Sequence, residues 1–295
     1  MLFETFMNIF RTSWVIFAVS LAISTVSAQE SVQAESIRIK RGELSVLFPD
    51  NSDFPDILSG IDSLFNVAQS ADFDAYDPDT VGASAGRNFE HIISGHASSN
   101  SKFTPRHGRY TLHQLPDEKS VVLVRRARDS PWKVASTLKY TVNEPYYVDC
   151  EFRCTPEDAS LFGPRNYAII FFANYMNDVS LHFRGHNTSN AVESWIRADA
   201  PQGHPDWTGG GNYRARAVAD LGYDVDVDFR LNTWTYDWPR IARSFYYGRA
   251  DNGMSLTLMF DRLQSDEDQI RFSLYKFKLP QHPRPAWDFQ DDCTC

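Results

Sequence analysis

Between Tyr110 and Leu279 the chain repeats one device: short runs of Val, Ile, Leu, Phe, Tyr and Thr separated by polar turns. KSVVLVRRA (119–127), STLKYTV (136–142), YYVDCEFRC (146–154) and VSLHFRG (179–185) are such runs. YAIIFFANYM (167–176), MSLTLMFDR (254–262) and IRFSLYKFKL (270–279) continue the series. Side chains alternate across a strand, so these patterns predict strands, with YAIIFFANYM apolar enough to be buried on both faces. Asn252-Gly253 and Ser265-Asp266 are turn signals between them. Upstream, IRIKRGELSVLF (37–48) alternates on both sides of Arg41-Gly42 and reads as a hairpin.

Helical spacing is confined to Ile57, Leu58, Ile61, Leu64 and Phe65, with Asp53 as a cap and Gly60 as an interruption, which predicts a short helix. NFEHII (88–93) is strand-like within a polar stretch, 70–108. The segment 186–228 is expected to be irregular, with GHPDWTGGG as its tip. Many short strands and almost no helix predict an all-β fold. We expect a large two-sheet antiparallel β-sandwich, of jelly-roll or supersandwich type, with long loops and at most short helices.

The first 28 residues read as a secretory signal peptide. Arg11 precedes an apolar run from Trp14 to Ile23, and Val26 and Ala28 fit the small-residue cleavage pattern. The run is short for a membrane span, so no stable span is expected after cleavage. Residues 29–36 form a loose segment, 37–290 a single domain and 291–295 a C-terminal tail, PAWDFQ (285–290) being the start of a last strand. A secreted or periplasmic location follows. Cys150 and Cys154 share a strand face about 13 Å apart, too far to bridge, and are expected free and buried. A net charge of −9 argues against a nucleic-acid partner, whose phosphates need a basic surface.

Two strands carry chemistry on one side. In YYVDCEFRC, Val148, Cys150, Phe152 and Cys154 face the core, leaving Tyr147, Asp149, Glu151 and Arg153 outside. In VSLHFRG, Val179, Leu181 and Phe183 face inward, His182 and Arg184 outward. Should both strands share a sheet, Asp149, Glu151, Arg153, His182 and Arg184 share a face capable of acid–base work, with Arg holding an anion. A solvated face of cross-strand ion pairs is the bland alternative. Glu90 beside His91 is a further acid–base candidate.

WTYDWPR (234–240) places Trp234, Tyr236 and Trp238 on one face of a strand that Pro239 is expected to end. Flat rings in a row can stack on sugar rings, and they can equally fill a core. Trp207, Trp195, Tyr246 and Tyr247 extend such a platform, and Arg240 and Arg243 give it a basic edge. Asp224, Asp226 and Asp228 alternate but lack the glycine and distal glutamate of a calcium loop. No metal and no cofactor are expected. Asn187-Thr188-Ser189 matches a glycosylation sequon.

YYVDCEFRCTP followed by YAIIFFANY resembles the paired central strands of concanavalin A-like jelly rolls. IRIKRGELSVLF and NFEHI resemble the galactose-mutarotase-like supersandwich of sugar epimerases and polysaccharide lyases. The resemblance is one of pattern, loosely from Ile37 to Phe277. It implies an exported carbohydrate-active protein acting on a polysaccharide, with an acidic one in view, as lyase or hydrolase. A non-catalytic glycan-binding module and a structural envelope protein are the alternatives. The E-x-D-x-x-E strand of laminarinase-type glycanases is absent, since Phe152, Arg153 and Cys154 follow Glu151.

Overall fold

The computed structural model describes residues 36–53, 59–75, 93–94, 109–130, 133–158, 160, 168–175, 180–198, 210–215, 235–249, 253–259, 271–275 and 286–293. They fall in one compact unit, Ser31–Cys295. Among them the fold is all-β, with a 3-10 turn at Ala127–Asp129. The β-sandwich expected from the pattern is present, and its strands divide among three hydrogen-bonded sheets.

The first sheet joins β1 (Ser36–Arg41), β2 (Leu44–Pro49) and β3 (Ser63–Asn66) in sequence order. The β1–β2 hairpin turns at Gly42, whose φ of +55° suits glycine. The helix expected around Ile61 and Leu64 does not form there. Ile61 is buried just before β3, and Leu64 is buried on β3 opposite Val46. Pairing with an existing hairpin edge outweighed the weak helical spacing, which Gly60 had already interrupted.

The second sheet runs β5 (Thr111–Gln114), β6 (Ser120–Arg125), β7 (Val134–Asn143) and β8 (Tyr147–Pro156), all antiparallel. On β7, buried and half-buried residues alternate without a break. Leu112, Val121, Leu123, Leu138, Tyr140 and Val142 pack in one core with Ile37, Ile39, Val46 and Phe48 of the first sheet. The Phe48 and Tyr140 rings meet at 5.2 Å. Polar ties link the two sheets: Leu112 N–H donates to Asp50 Oδ2 at 2.9 Å, and Tyr110 N–H to buried Asn51 Oδ1 at 2.8 Å. Glu43 N–H donates to the Pro145 carbonyl at 2.8 Å, docking the first hairpin tip on the β7–β8 turn.

The third sheet has nine strands. Its order is β11 (Ser194–Ala198), β10 (Leu181–His186), β13 (Thr235–Arg249), β12 (Gly210–Arg214), β15 (Arg271–Tyr275), β16 (Ala286–Cys293), β9 (Ala168–Tyr175) and β4 (Ile93–Ser94). β14 (Ser255–Met259) pairs with the end of β13. All pairings are antiparallel except β12 with β13. Leu181, Phe183, Ile196, Ala198, Ile241, Tyr246 and Leu258 are its buried side chains on β10, β11, β13 and β14. Successive residues Tyr213 and Arg214 are both buried, so β12 is covered on both faces at that point.

Three expectations change here. The stretch 186–228 is not wholly irregular, since it contains β11 and β12. The strand begun at PAWDFQ continues through Asp291, Asp292 and Cys293, so those residues are no tail: β16 pairs with β9 along eight residues. Pro239 does not end its strand. β13 passes through it because the β12 ladder skips from Asn212↔Thr235 to Arg214↔Arg240, and Pro239, which has no N–H to offer, sits inside that step.

Candidate functional site

β8 shows the predicted faces. Tyr147, Asp149, Glu151 and Arg153 are exposed, and Val148, Cys150, Phe152 and Cys154 are half-buried. Cys150 and Cys154 are free, as expected, but half-buried rather than buried because β8 closes one edge of its sheet. β10 also shows the predicted faces where it is described: Leu181 and Phe183 are buried, His182 and Arg184 are half-exposed. The two strands lie in different sheets, however, so the shared face that would unite Asp149, Glu151 and Arg153 with His182 and Arg184 does not form. Alternation sets which face a residue takes, but not which sheet its strand joins.

The β8 carboxylates have local partners. Glu151 pairs with Arg153 two residues on. Asn143 Nδ2 donates to Asp149 Oδ2 at 2.7 Å. Lys139 stands opposite Glu151 on β7. This is a solvated face of cross-strand polar pairs.

The outer face of β10, β11 and β13 is different in kind. Its residues come together through register: Arg184 lies opposite Trp195, and His182 lies between Arg197 and Tyr247. The His182 ring stacks on Tyr247 at 4.9 Å and 12°. Trp195 stands edge-on to Tyr247 at 5.7 Å and to Phe245 at 6.0 Å. The Arg184 guanidinium lies 5.4 Å from the centre of the Trp195 ring. Trp195 is 55% exposed, and Met259, opposite Phe245 on β14, is 60% exposed. Large apolar side chains rarely gather on a surface without a partner.

Glu193 ties this face together from the segment before β11. Arg184 Nε donates to its Oε1 at 2.9 Å, and Arg184 Nη2 to its backbone carbonyl at 3.2 Å. Arg243 Nε lies 3.2 Å from both carboxylate oxygens, and Arg243 Nη2 lies 3.0 Å from Oε2. Hydrogen bonds from Arg243 and Arg184 hold the Glu193 carboxyl below its ordinary value, and the hydrogen bond to Glu193 pushes the Arg243 guanidinium up. His186 Nδ1 donates to the Ala191 carbonyl at 2.9 Å and fixes the turn between β10 and β11.

A break in β13 decides which rings face outward. Opposite β10, the register jumps from Phe183↔Tyr246 to Gly185↔Ile241. The extra β13 residues reset the alternation, so Ile241 and Tyr246 are both buried, while Arg243, Phe245 and Tyr247 turn outward. Tyr246 is therefore a core residue, 2% exposed, and not the ligand contact expected; its neighbour Tyr247 takes that place. Nearer the start of β13, Trp238 is half-buried under the Arg240 guanidinium at 4.2 Å, and Arg240 also bonds Asp237.

Trp234, Trp207, Glu90, Asp224, Asp226 and Asp228 lie outside the described residues, and Tyr236 is described by its backbone alone. Asn187 is exposed in the turn after β10. Among the described residues no group of three or more His, Cys, Asp or Glu side chains could hold a metal ion, and no helix is long and apolar enough to cross a membrane. Glu193 and Phe245 were not singled out by sequence. The first sits in a segment read as loop, and the second is outward only because of the bulge.

No protein-family model matches the chain. No curated protein matches it in sequence. Among solved structures, a candidate aldose 1-epimerase of Escherichia coli K12 is similar at 8% identity and a TM-score of 0.39, over 86% of this chain and 87% of that chain. At that TM-score the likeness carries no inference about activity.

Proposed function

We propose that the protein is an exported carbohydrate-binding protein that holds a polysaccharide or oligosaccharide on the outer face of β10, β11 and β13. The observation that carries this reading is the exposed Trp195 ring, framed by Phe245, Tyr247 and His182 and bordered by two arginines. A tryptophan face offers apolar area to the C–H side of a sugar ring, and flanking guanidinium groups offer donors to its hydroxyl oxygens. The signal-like segment before Ala28 supports export.

Binding fits this geometry better than glycan cleavage. A glycosidase acid needs a carboxyl raised toward neutral pH, set against a second carboxyl across the bond. Glu193 is held the other way by its two arginines, and Glu151 is committed to Arg153. Affinity electrophoresis of the mature protein through gels carrying neutral and uronate polysaccharides tests the proposal. Retardation by at least one polymer is expected. Release of reducing ends, or of the ultraviolet band of unsaturated uronates, would assign an enzyme instead. Unretarded migration through every gel would refute glycan binding across that panel.

A further inference from the structure

We infer that this face selects anionic sugars, a uronate carboxylate or a sulfate ester being held by Arg184 and Arg243 while the sugar ring lies on Trp195. This rests on the glycan-binding reading above and names its substrate class. Two guanidinium groups meet one carboxylate at Glu193, so the cluster keeps one unit of positive charge although every member is paired. The bonds to Glu193 use Nε and Nη2 of each arginine and leave Nη1 of both outside them. A guanidinium carries five N–H donors in a planar fork, so each can take a further anionic oxygen without giving up Glu193. The Arg243 side chain is 62% exposed, which leaves that donor edge within reach of a ligand.

Glu193 is then a positioning residue. It fixes two long side chains from separate strands at one point and removes much of the rotamer entropy a ligand would otherwise have to offset. Arg184 is steadied a second time by the Trp195 ring. Because Arg184 lies over the Trp195 ring, an anion held by this pair lies close to that ring, the arrangement an acidic sugar needs: charge at one carbon and an aromatic ring near it.

General electrostatics works against such a preference. The chain carries a net charge of −9, and a polyanion is repelled by the molecule as a whole. Selectivity for acidic polymers must therefore come from a local site. The test compares polygalacturonate, its fully methyl-esterified form and dextran sulfate as ligands at low and high salt. The proteins are wild type, Arg243→Gln and Arg249→Gln, with unfolding curves for each. Arg249 is an exposed arginine of the same strand that has no bond to Glu193, and it controls for loss of charge alone.

The expected result is tighter binding of polygalacturonate or dextran sulfate than of the ester, a preference that salt weakens. Arg243→Gln should lower the acidic affinity about two- to fivefold, the range of an exposed charge pair, and leave the ester unchanged. Arg249→Gln should behave as wild type. Preference for one acidic polymer over the other assigns carboxylate or sulfate as the anion. Equal affinity for acid and ester, or equal losses in both arginine variants, overturns the inference while leaving glycan binding intact. Binding of none of the three by wild type overturns the inference, and it overturns glycan binding as well only if the neutral polysaccharide gels also leave the protein unretarded.

Discussion

Glycine and glutamate each decide something local in this molecule that no neighbour could replace. At Gly42 the backbone is left-handed, and a Cβ would stand 2.5 Å from the Pro145 carbonyl oxygen. That carbonyl already accepts Glu43 N–H, so it is not free to move away. Gly42→Ala should cost about 1–3 kcal/mol in urea unfolding, and a variant as stable as wild type would show that the turn relaxes. Glu193 acts through charge. Its carboxyl is depressed in the folded protein, so its bonds stabilise the fold above the usual Glu value, and that stability is lost as pH falls through the depressed folded value. The unfolding midpoint of wild type should fall toward that of Glu193→Gln as pH drops into the carboxylate range. A difference between the two proteins that stays constant with pH would show that Glu193 is not held as described.

At the scale of elements, the bulge between β10 and β13 is the determinant of the site. Gly185 lies at the register jump, where a Cβ would collide with the Arg240 carbonyl and crowd Phe183 and Ile196. Gly185→Ala should cost about 3 kcal/mol, the upper part of the overpacking range, and should disturb the Trp195 face through Ile196. Unfolding in urea gives the cost, and unchanged stability would mean that the two backbones do not approach closely at that point. This bulge also marks where reading the sequence stops. Alternation correctly assigned the faces of β8, and those of β10 at 181–184, because each strand keeps a strict period of two there. It did not separate buried Tyr246 from outward Tyr247, which were read together, and it missed Phe245, because an insertion in one strand of a pair leaves no mark in the pattern of that strand alone. Glu193 was missed for a related reason. Its partners Arg184 and Arg243 lie 9 and 50 residues away, a distance only the fold closes.

For the whole molecule, the β-rich character was legible because it is written in every strand. Strands β6, β9, β14 and β15 fall inside runs recognised as strands, and the hairpin at Gly42 and strands β7, β8 and β10 overlap theirs, overrunning them by one or two residues. The partition into three sheets was not legible, since which edges pair depends on long-range contacts. The separation of β8 from β10 follows from that partition, and it moves the site from a supposed acid–base face to an aromatic and cationic one. Trp195 connects the two levels. It sits on β11, a strand within a stretch read as loop, and its exposed ring is the largest apolar group on that face.

The most direct measurement is the affinity of Trp195→Ala for whichever glycan wild type binds, taken together with the unfolding midpoints of both proteins. The ring is more than half exposed but stands edge-on to Phe245 and Tyr247, so its loss should cost about 1–2 kcal/mol and leave the protein folded. Affinity should fall at least about tenfold, or about 1.4 kcal/mol. Undiminished affinity in a folded Trp195→Ala protein would place the glycan elsewhere and contradict the account.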